Sequence, residues 1–305
     1  MTTRCGALGG AIVAVLACRV LAPVSVDAQE NVRSQAALDS LAAFYPTNEM
    51  AAEVPFGPGE RARYRVEVGI FDVGEGHMSI EALDTVRGNE TFRAVMEIDA
   101  SILGFKVHNT DTTFFDTSTL QSWRYIKLMN NTGYHGTRHY EMYPAEDLWV
   151  NEDKEEESPD RDGPLGSSFP LDDISFIYFM RQMTLEVGRT YTVPRYFKED
   201  GNPVVIKVLR REVKKVDGGE FNTIVIQPLV QTDGLFGDGG EAEIYLTDDD
   251  RKIMIYMKSN IPKFPGALEL YLKSYEPGVP LNPDARQRAA SGRAERAQAD
   301  TIQGR

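Results

Sequence analysis

Arg61-Ala62-Arg63-Tyr64-Arg65-Val66-Glu67-Val68-Gly69-Ile70 decides the fold. Charged residues fall at 61, 63, 65 and 67, and Ala62, Tyr64, Val66, Val68 and Ile70 fall between them. Alternation with a period of two is the mark of a strand with one face buried and the other wet. Phe92, Ala94, Met96, Ile98, Ala100 and Ile102 repeat it. Further strands are expected at 105–116, 120–130, 133–143, 191–197, 204–216, 221–231, 241–247, 252–258 and 267–275. Turn signals stand between them: Gly88-Asn89, Thr132-Gly133, Asp217-Gly218-Gly219 and Asp248-Asp249-Asp250. The spacing suits antiparallel hairpins, about a dozen strands in all, and not strand–helix–strand units.

One segment departs from this period. Asp172 to Met183 places Ile174, Ile177, Tyr178 and Arg181 at helical spacing, with Asp172 as N-cap. Phe176 to Met180 is apolar without a break, so this helix is buried on most sides. Strands in such number must close or fold over to protect their edges. The expected fold is therefore mainly β: a curled antiparallel sheet, barrel or half-barrel with one buried helix near 172–183.

The first 28 residues carry Arg4, an apolar run from Cys5 to Cys18 and a small-x-small pattern, Val26-Asp27-Ala28. This reads as a secretory signal peptide, and the expected location is exported and periplasmic. Val15-Leu16-Ala17-Cys18 offers the alternative of a membrane-anchored lipoprotein through Cys18. Both cysteines of the chain lie in this opening. If it is removed before Gln29, the mature chain has no disulfide and no membrane span. Residues 29–53 are expected to form a short helix and a linker, 54–276 a single β-rich domain, and 277–305 a disordered tail. The formal charge is −13, with +1 on residues 1–28 and +2 on 277–305, which leaves −16 on 29–276. Such an acidic body argues against nucleic acid and against anionic lipid surfaces.

Three segments resemble a family of bacterial exported proteins, domain of unknown function 3108. They are Pro55-Phe56-Gly57-Pro58-Gly59-Glu60 with Tyr64 and Val68-Gly69; Asp172 to Arg181, matching at Asp172, Ser175, Tyr178 and Arg181; and Ile244 to Asp249 followed by Arg251-Lys252-Ile253. Asp173 and Met254 stand where the family pattern would have proline. The likeness spans roughly 54–276. It implies a Gram-negative envelope location and a β-rich fold, and it implies no activity. A looser architectural likeness is to the half-barrels that carry lipoproteins between membranes.

Chemistry-bearing patterns are sparse. His135, His139 and Glu141 share one face of a strand, a metal-like set weighed against a plain polar outer face. Asp233 to Glu241 puts three carboxylates in a glycine-rich loop but lacks calcium-loop spacing. Neither nucleophile-elbow nor phosphate-loop sequences occur. The leading expectation is a non-enzymatic envelope protein that binds an apolar or amphipathic, lipid-like ligand without cofactor or metal. Trp123, Tyr178 and Arg181 are its expected contacts. The bland reading of Arg181 is an internal salt bridge. Two alternatives stand beside this: a scaffold with a packed interior that binds an envelope protein partner, and a carboxylate-dependent envelope hydrolase.

Overall fold

In the computed structural model, residues 54–102, 104–153, 161–229, 242–260 and 267–281 are described. The expected signal peptide, Cys18, the expected helix and linker of 29–53, the glycine-rich loop at 233–241 and the tail beyond Leu281 lie outside them.

The alternation of the opening segment becomes strand β1 (Arg61–Val68), in which Ala62, Tyr64, Val66 and Val68 are buried and Arg63 is exposed. Successive hairpins follow: β2 (Phe71–Val86), β3 (Asn89–Ile102), β4 (Phe105–Asp116), β5 (Ser122–Asn131), β6 (Tyr134–Tyr143), β7 (Leu148–Asn151) and β8 (Asp162–Pro164). Then come helix α1 (Asp173–Met180) and the strands β9 (Thr190–Val193), β10 (Val204–Val216), β11 (Gly219–Leu229), β12 (Glu243–Thr247), β13 (Met254–Asn260) and β14 (Ala267–Glu276). All 14 strands form one antiparallel sheet in the order β8-β7-β6-β5-β4-β3-β2-β1-β14-β13-β12-β11-β10-β9. The chain thus starts in the middle of the sheet, meanders to one edge, crosses by way of α1, and meanders back from the other edge.

The fold is mainly β with one short helix, as the alternation predicts. β2, β7 and β8 are additions to the strands read from sequence, and the helix is shorter than 172–183. The two sheet edges approach each other. Leu165 bridges Lys198, Leu171 bridges Tyr196, and the Gly166, Leu171 and Phe197 amides bond across at 3.0, 2.6 and 3.0 Å. These contacts supply partners for edge groups that would otherwise invite aggregation.

All eight residues of α1 are buried. Asp172 Oδ1 accepts from the Ile174 and Ser175 amides, both at 2.9 Å, and Ser175 Oγ accepts the Asp172 amide at 2.9 Å. This reciprocal cap contributes about 1 kcal/mol and fixes where the helix starts. The helix rests on the inner face of the sheet. Tyr178 packs on Phe56 and Phe115 with ring centroids at 4.8 and 5.1 Å, and Phe92 closes on Phe56 at 5.7 Å. Each of these rings is fully buried, worth about 1.5–3 kcal/mol of apolar transfer.

Candidate functional site

The register of the sheet sorts its inner face into levels. The base of the molecule lies at the Arg87–Asn89, Pro144–Asp147 and Asp248–Arg251 turns, on the side of α1. The rim lies at the opposite ends of the hairpins, at the turns after β1, β3 and β5.

At the base, Arg181 follows α1 and is almost fully buried. Its Nη1 and Nη2 donate to the two carboxylate oxygens of Glu60 at 2.6 and 3.0 Å, and its Nε donates to the Arg251 carbonyl at 2.9 Å. Tyr275 Oη donates to Glu60 at 2.8 Å. Burial works against the charge on Arg181, and Glu60 outweighs it, so the guanidinium is held above its ordinary range. The carbonyl of Arg251 is presented by a structured turn. Asp249 in that turn accepts from Thr247 Oγ1 at 2.6 Å and from the Arg251 and Lys252 amides at 3.1 Å. Tyr178 lies beside this pair, with the Arg181 guanidinium 5.5 Å from its ring centroid. The Tyr178 hydroxyl is buried and has no hydrogen-bond partner, and burial raises its pKa well above the phenol range.

Above the base, a polar cluster holds the start of α1. Thr113 Oγ1 donates to Asp172 Oδ2 at 2.5 Å, and Ser122 Oγ lies 2.7 Å from Ser175 Oγ. Tyr125 Oη lies 3.2 Å from both Asp111 Oδ2 and Asp173 Oδ2, Lys127 Nζ is 3.3 Å from Asp173, and Tyr196 Oη donates to Asp173 at 2.9 Å. Burial raises the Asp172 carboxyl to about 6, against the lowering effect of Ser122, Thr113 and the Ser175 amide. Burial also pushes Asp111 up, with Lys127 opposing. On Lys127 burial acts downward, and the carboxylates of Asp111 and Asp173 overcome it, so its pKa is raised. These groups neutralise one another and pin the helix.

Between that cluster and the rim the inner face is different. Strand pairing places Gly74, Ala100, Val107 and Asn131 at one level, and Gly76, Ile98, Asn109 and Met129 at the next. All eight are half-buried. The amide oxygens of Asn109 and Asn131 are shielded from solvent, yet accept no hydrogen bond. Glycine at 74 lets the backbone come close, because a Cβ there would lie 2.0 Å from the Asp99 carbonyl. These two levels combine small residues along β2, the apolar side chains of Ile98, Val107 and Met129, and two unmatched polar atoms. Lys127 and Arg138, paired across β5 and β6, stand one level nearer the base.

Of the three residues expected from sequence to contact a ligand, Tyr178 and Arg181 come together at the base, and Trp123 does not join them. A bulge sits where β5 passes Phe114 and Phe115. Ser122 and Tyr125 face the helix, while Trp123 lies with the outer face, the Arg87 guanidinium 5.7 Å from its ring centroid. Arg87 and Arg124 both bind the Glu141 carboxylate there, and His139 Nε2 is 2.9 Å from it. The metal-like set read from sequence is thus a carboxylate matched by two guanidinium groups, with His135 exposed near the turn after β5. Among the described residues no group of three ligands is poised for a metal. The half-buried residues of these two levels escaped sequence reading, because nothing in a strand pattern separates a covered level from a partly covered one.

On the outer face, the β10–β11 hairpin arches over the sheet. Gly218 donates to the Leu272 carbonyl at 2.8 Å and Arg65 Nε to Asp217 at 2.7 Å. Lys214 Nζ is then 3.5 Å from the Tyr256 ring centroid and 4.8 Å from that of Tyr245. Glu269 accepts from the Tyr256 and Tyr271 hydroxyls at 2.7 and 2.5 Å.

Comparison with known proteins adds a family and no activity. A β-barrel-like protein of domain of unknown function DUF1849 from Brucella abortus is similar in structure, at 13% identity and a TM-score of 0.41, over 72% of this chain and 97% of that one. No curated protein matches the sequence. The pattern described as "Protein of unknown function (DUF3108)" matches residues 63–273, the span from β1 into β14. The chain belongs to that family.

Proposed function

We propose that this protein is a non-enzymatic carrier or binder of an apolar or amphipathic molecule, exported to the cell envelope, and that the ligand occupies a groove along the inner face between the Lys127–Arg138 level and the rim. One observation carries the reading. The helix and its aromatic cluster fill the base of the interior, whereas the next levels toward the rim are half-buried, carry Ile98, Val107 and Met129, and hold the unmatched amide oxygens of Asn109 and Asn131. Apolar walls with a few convergent polar groups are the usual make-up of a small-molecule site. This moves the expected contacts away from Arg181, whose donors are engaged by Glu60 and Arg251. The signal-like opening of the sequence supports the envelope location.

Native mass spectrometry of protein purified from a bacterial periplasm tests the reading. A reproducible added mass that leaves on solvent extraction is the expected result. Ile98→Trp and Met129→Trp, which fill the groove, should abolish that mass while the chain still unfolds cooperatively. A clean unliganded mass after incubation with total envelope lipids would sink the proposal. The packed-scaffold reading would then take its place, supported by the filled base.

A further inference from the structure

The tyrosines of the outer face stand in register. Tyr245 on β12 lies opposite Tyr256 on β13, and Tyr256 lies opposite Tyr271 on β14. Adjacent strands therefore present three phenol rings side by side, with successive centroids 5.0 and 4.8 Å apart. Tyr256 and Tyr271 both donate to Glu269, and Tyr245 donates to Glu243 at 3.1 Å. Each ring is thus fixed by its own hydroxyl, and the shelf is built without help from whatever lies on it.

Three cations lie along this row, and they are not equally provided for. Arg65 stands 4.6 Å from the Tyr271 centroid, and its Nε donates to Asp217 at 2.7 Å. Arg210 stands 5.6 Å from the Tyr245 centroid and donates to Glu212 and Glu243 at 2.8 and 3.0 Å. Between them, Lys214 Nζ is 3.5 Å from the Tyr256 centroid, 4.8 Å from that of Tyr245 and 5.9 Å from that of Tyr271. Among the described residues none accepts a hydrogen bond from Lys214 Nζ, and the carboxylates of Glu212, Glu269 and Glu243 act on it only through space. A primary ammonium has three N–H groups to satisfy. The shelf offers ring faces alone, so those groups gain nothing from it.

We propose that the shelf of Tyr245, Tyr256 and Tyr271 is a binding site for a small quaternary ammonium cation, and that Lys214 fills it until such a cation displaces the side chain. Three features select that chemistry. A quaternary ammonium spreads its charge over its methyl groups and has no N–H to satisfy, so ring faces alone suit it better than they suit lysine. The two guanidinium groups of the row are already matched by carboxylates, so the row has no unmatched cation for an anionic end on the same ligand. Finally, the −16 charge of residues 29–276 draws cations toward the surface. The site lies on the opposite face of the sheet from the proposed groove and does not depend on it.

Titration with choline at fixed ionic strength tests it, read by the N-methyl proton resonance, which ring faces move upfield. The parent should give a saturable shift. Lys214→Ala, which empties the shelf, should bind choline about tenfold more tightly. Tetramethylammonium should compete, and ammonium chloride at the same concentration should not. In the Lys214→Ala background, Tyr256→Leu should abolish the shift, and Tyr256→Phe, which keeps the ring face, should retain it. Tyr271→Leu, at the half-buried end of the row, should weaken binding about threefold and serves if Tyr256→Leu does not fold. The proposal fails if the parent gives no saturable shift, if removing Lys214 leaves the affinity unchanged, if ammonium competes as well as tetramethylammonium, or if the ring variants bind alike. Phosphocholine and phosphatidylcholine vesicles carry the same head on a phosphate. Much tighter binding of phosphocholine, or pelleting on such vesicles that Tyr256→Leu abolishes, would give the shelf to a lipid headgroup and overturn its assignment to a free cation. Ile98→Trp separates this question from the groove: it should lose cargo and keep choline binding.

Discussion

Arg181 and Glu60 stand 121 residues apart in the chain and meet as a two-pronged ion pair from which solvent is almost wholly excluded. Glu60 immediately precedes the first strand and Arg181 follows the helix, so the pair ties the start of the sheet to its internal plug. A buried charge left alone costs far more than the pair contributes. Arg181→Met should therefore destabilise the fold by about 3–5 kcal/mol, and Glu60→Gln by a similar amount. The double variant should fall well short of the sum. Chemical denaturation of the four proteins measures the cycle, and strict additivity would refute the pairing.

The Tyr178 hydroxyl offers the opposite case. It is buried beside that pair with no partner, so Tyr178→Phe removes an unmatched polar group and leaves the ring in its aromatic cluster. The expected change is neutral, or a gain of about 1 kcal/mol. A loss of that size in thermal or denaturant unfolding would show that the hydroxyl is engaged.

Asp172 links the helix start to pH. Its carboxyl is raised to about 6 by burial, above its value in an unfolded chain. The folded state therefore holds the proton more tightly. Stability contributed by the protonated form is present at low pH, declines as pH rises from about 4 to about 6, and is flat above that. Asp172→Asn retains an acceptor for the Ile174 and Ser175 amides and cannot ionise. It should flatten the slope in that window and match or exceed the parent at neutral pH. Any residual slope of the same sign comes from Asp111, which burial also raises. Asp172→Ala, which loses the cap, should cost about 1–2 kcal/mol at every pH.

Lys214 is a latch for the arched β10–β11 hairpin. Its ammonium rests on Tyr256 and Tyr245, and burial lowers its pKa. Lys214→Met removes the cation and retains most of the stem, at a cost of about 1 kcal/mol. Amide exchange should accelerate selectively in residues 211–222. Uniform acceleration across the sheet would argue that the hairpin is no separate unit.

The parts of this fold that could be read from sequence are those that repeat. β1 and β3 alternate cleanly, and α1 stands out because five apolar residues in a row cannot suit a half-wet strand. β2 was hidden because Gly74 and Gly76 interrupt its pattern and bulges shift its register near Val73 and Glu81. The same physics separated Trp123 from Tyr178: simple alternation sets Trp123 with Tyr125, and one extra residue in the strand turns it outward. That Arg181 pairs internally was a sequence-level alternative, but Glu60 as its partner was not legible, since no local period connects residues so distant. How far the helix covers the inner face is a matter of its depth, which no strand pattern records.

The pairing of β1 with β14 gives the molecule an uneven mechanical character. Arg61 lies opposite Glu276, and Val279 donates to the Pro58 carbonyl at 3.0 Å, so the chain enters and leaves the sheet side by side at one end. Tension applied to those two ends would load the ladder one rung at a time, beginning at Arg61 and Glu276, and open it like a zipper. Hydrogen bonds strained in sequence resist far less force than bonds sheared together. The sheet would part down its middle, into two meanders still joined through the helix, at a modest pull.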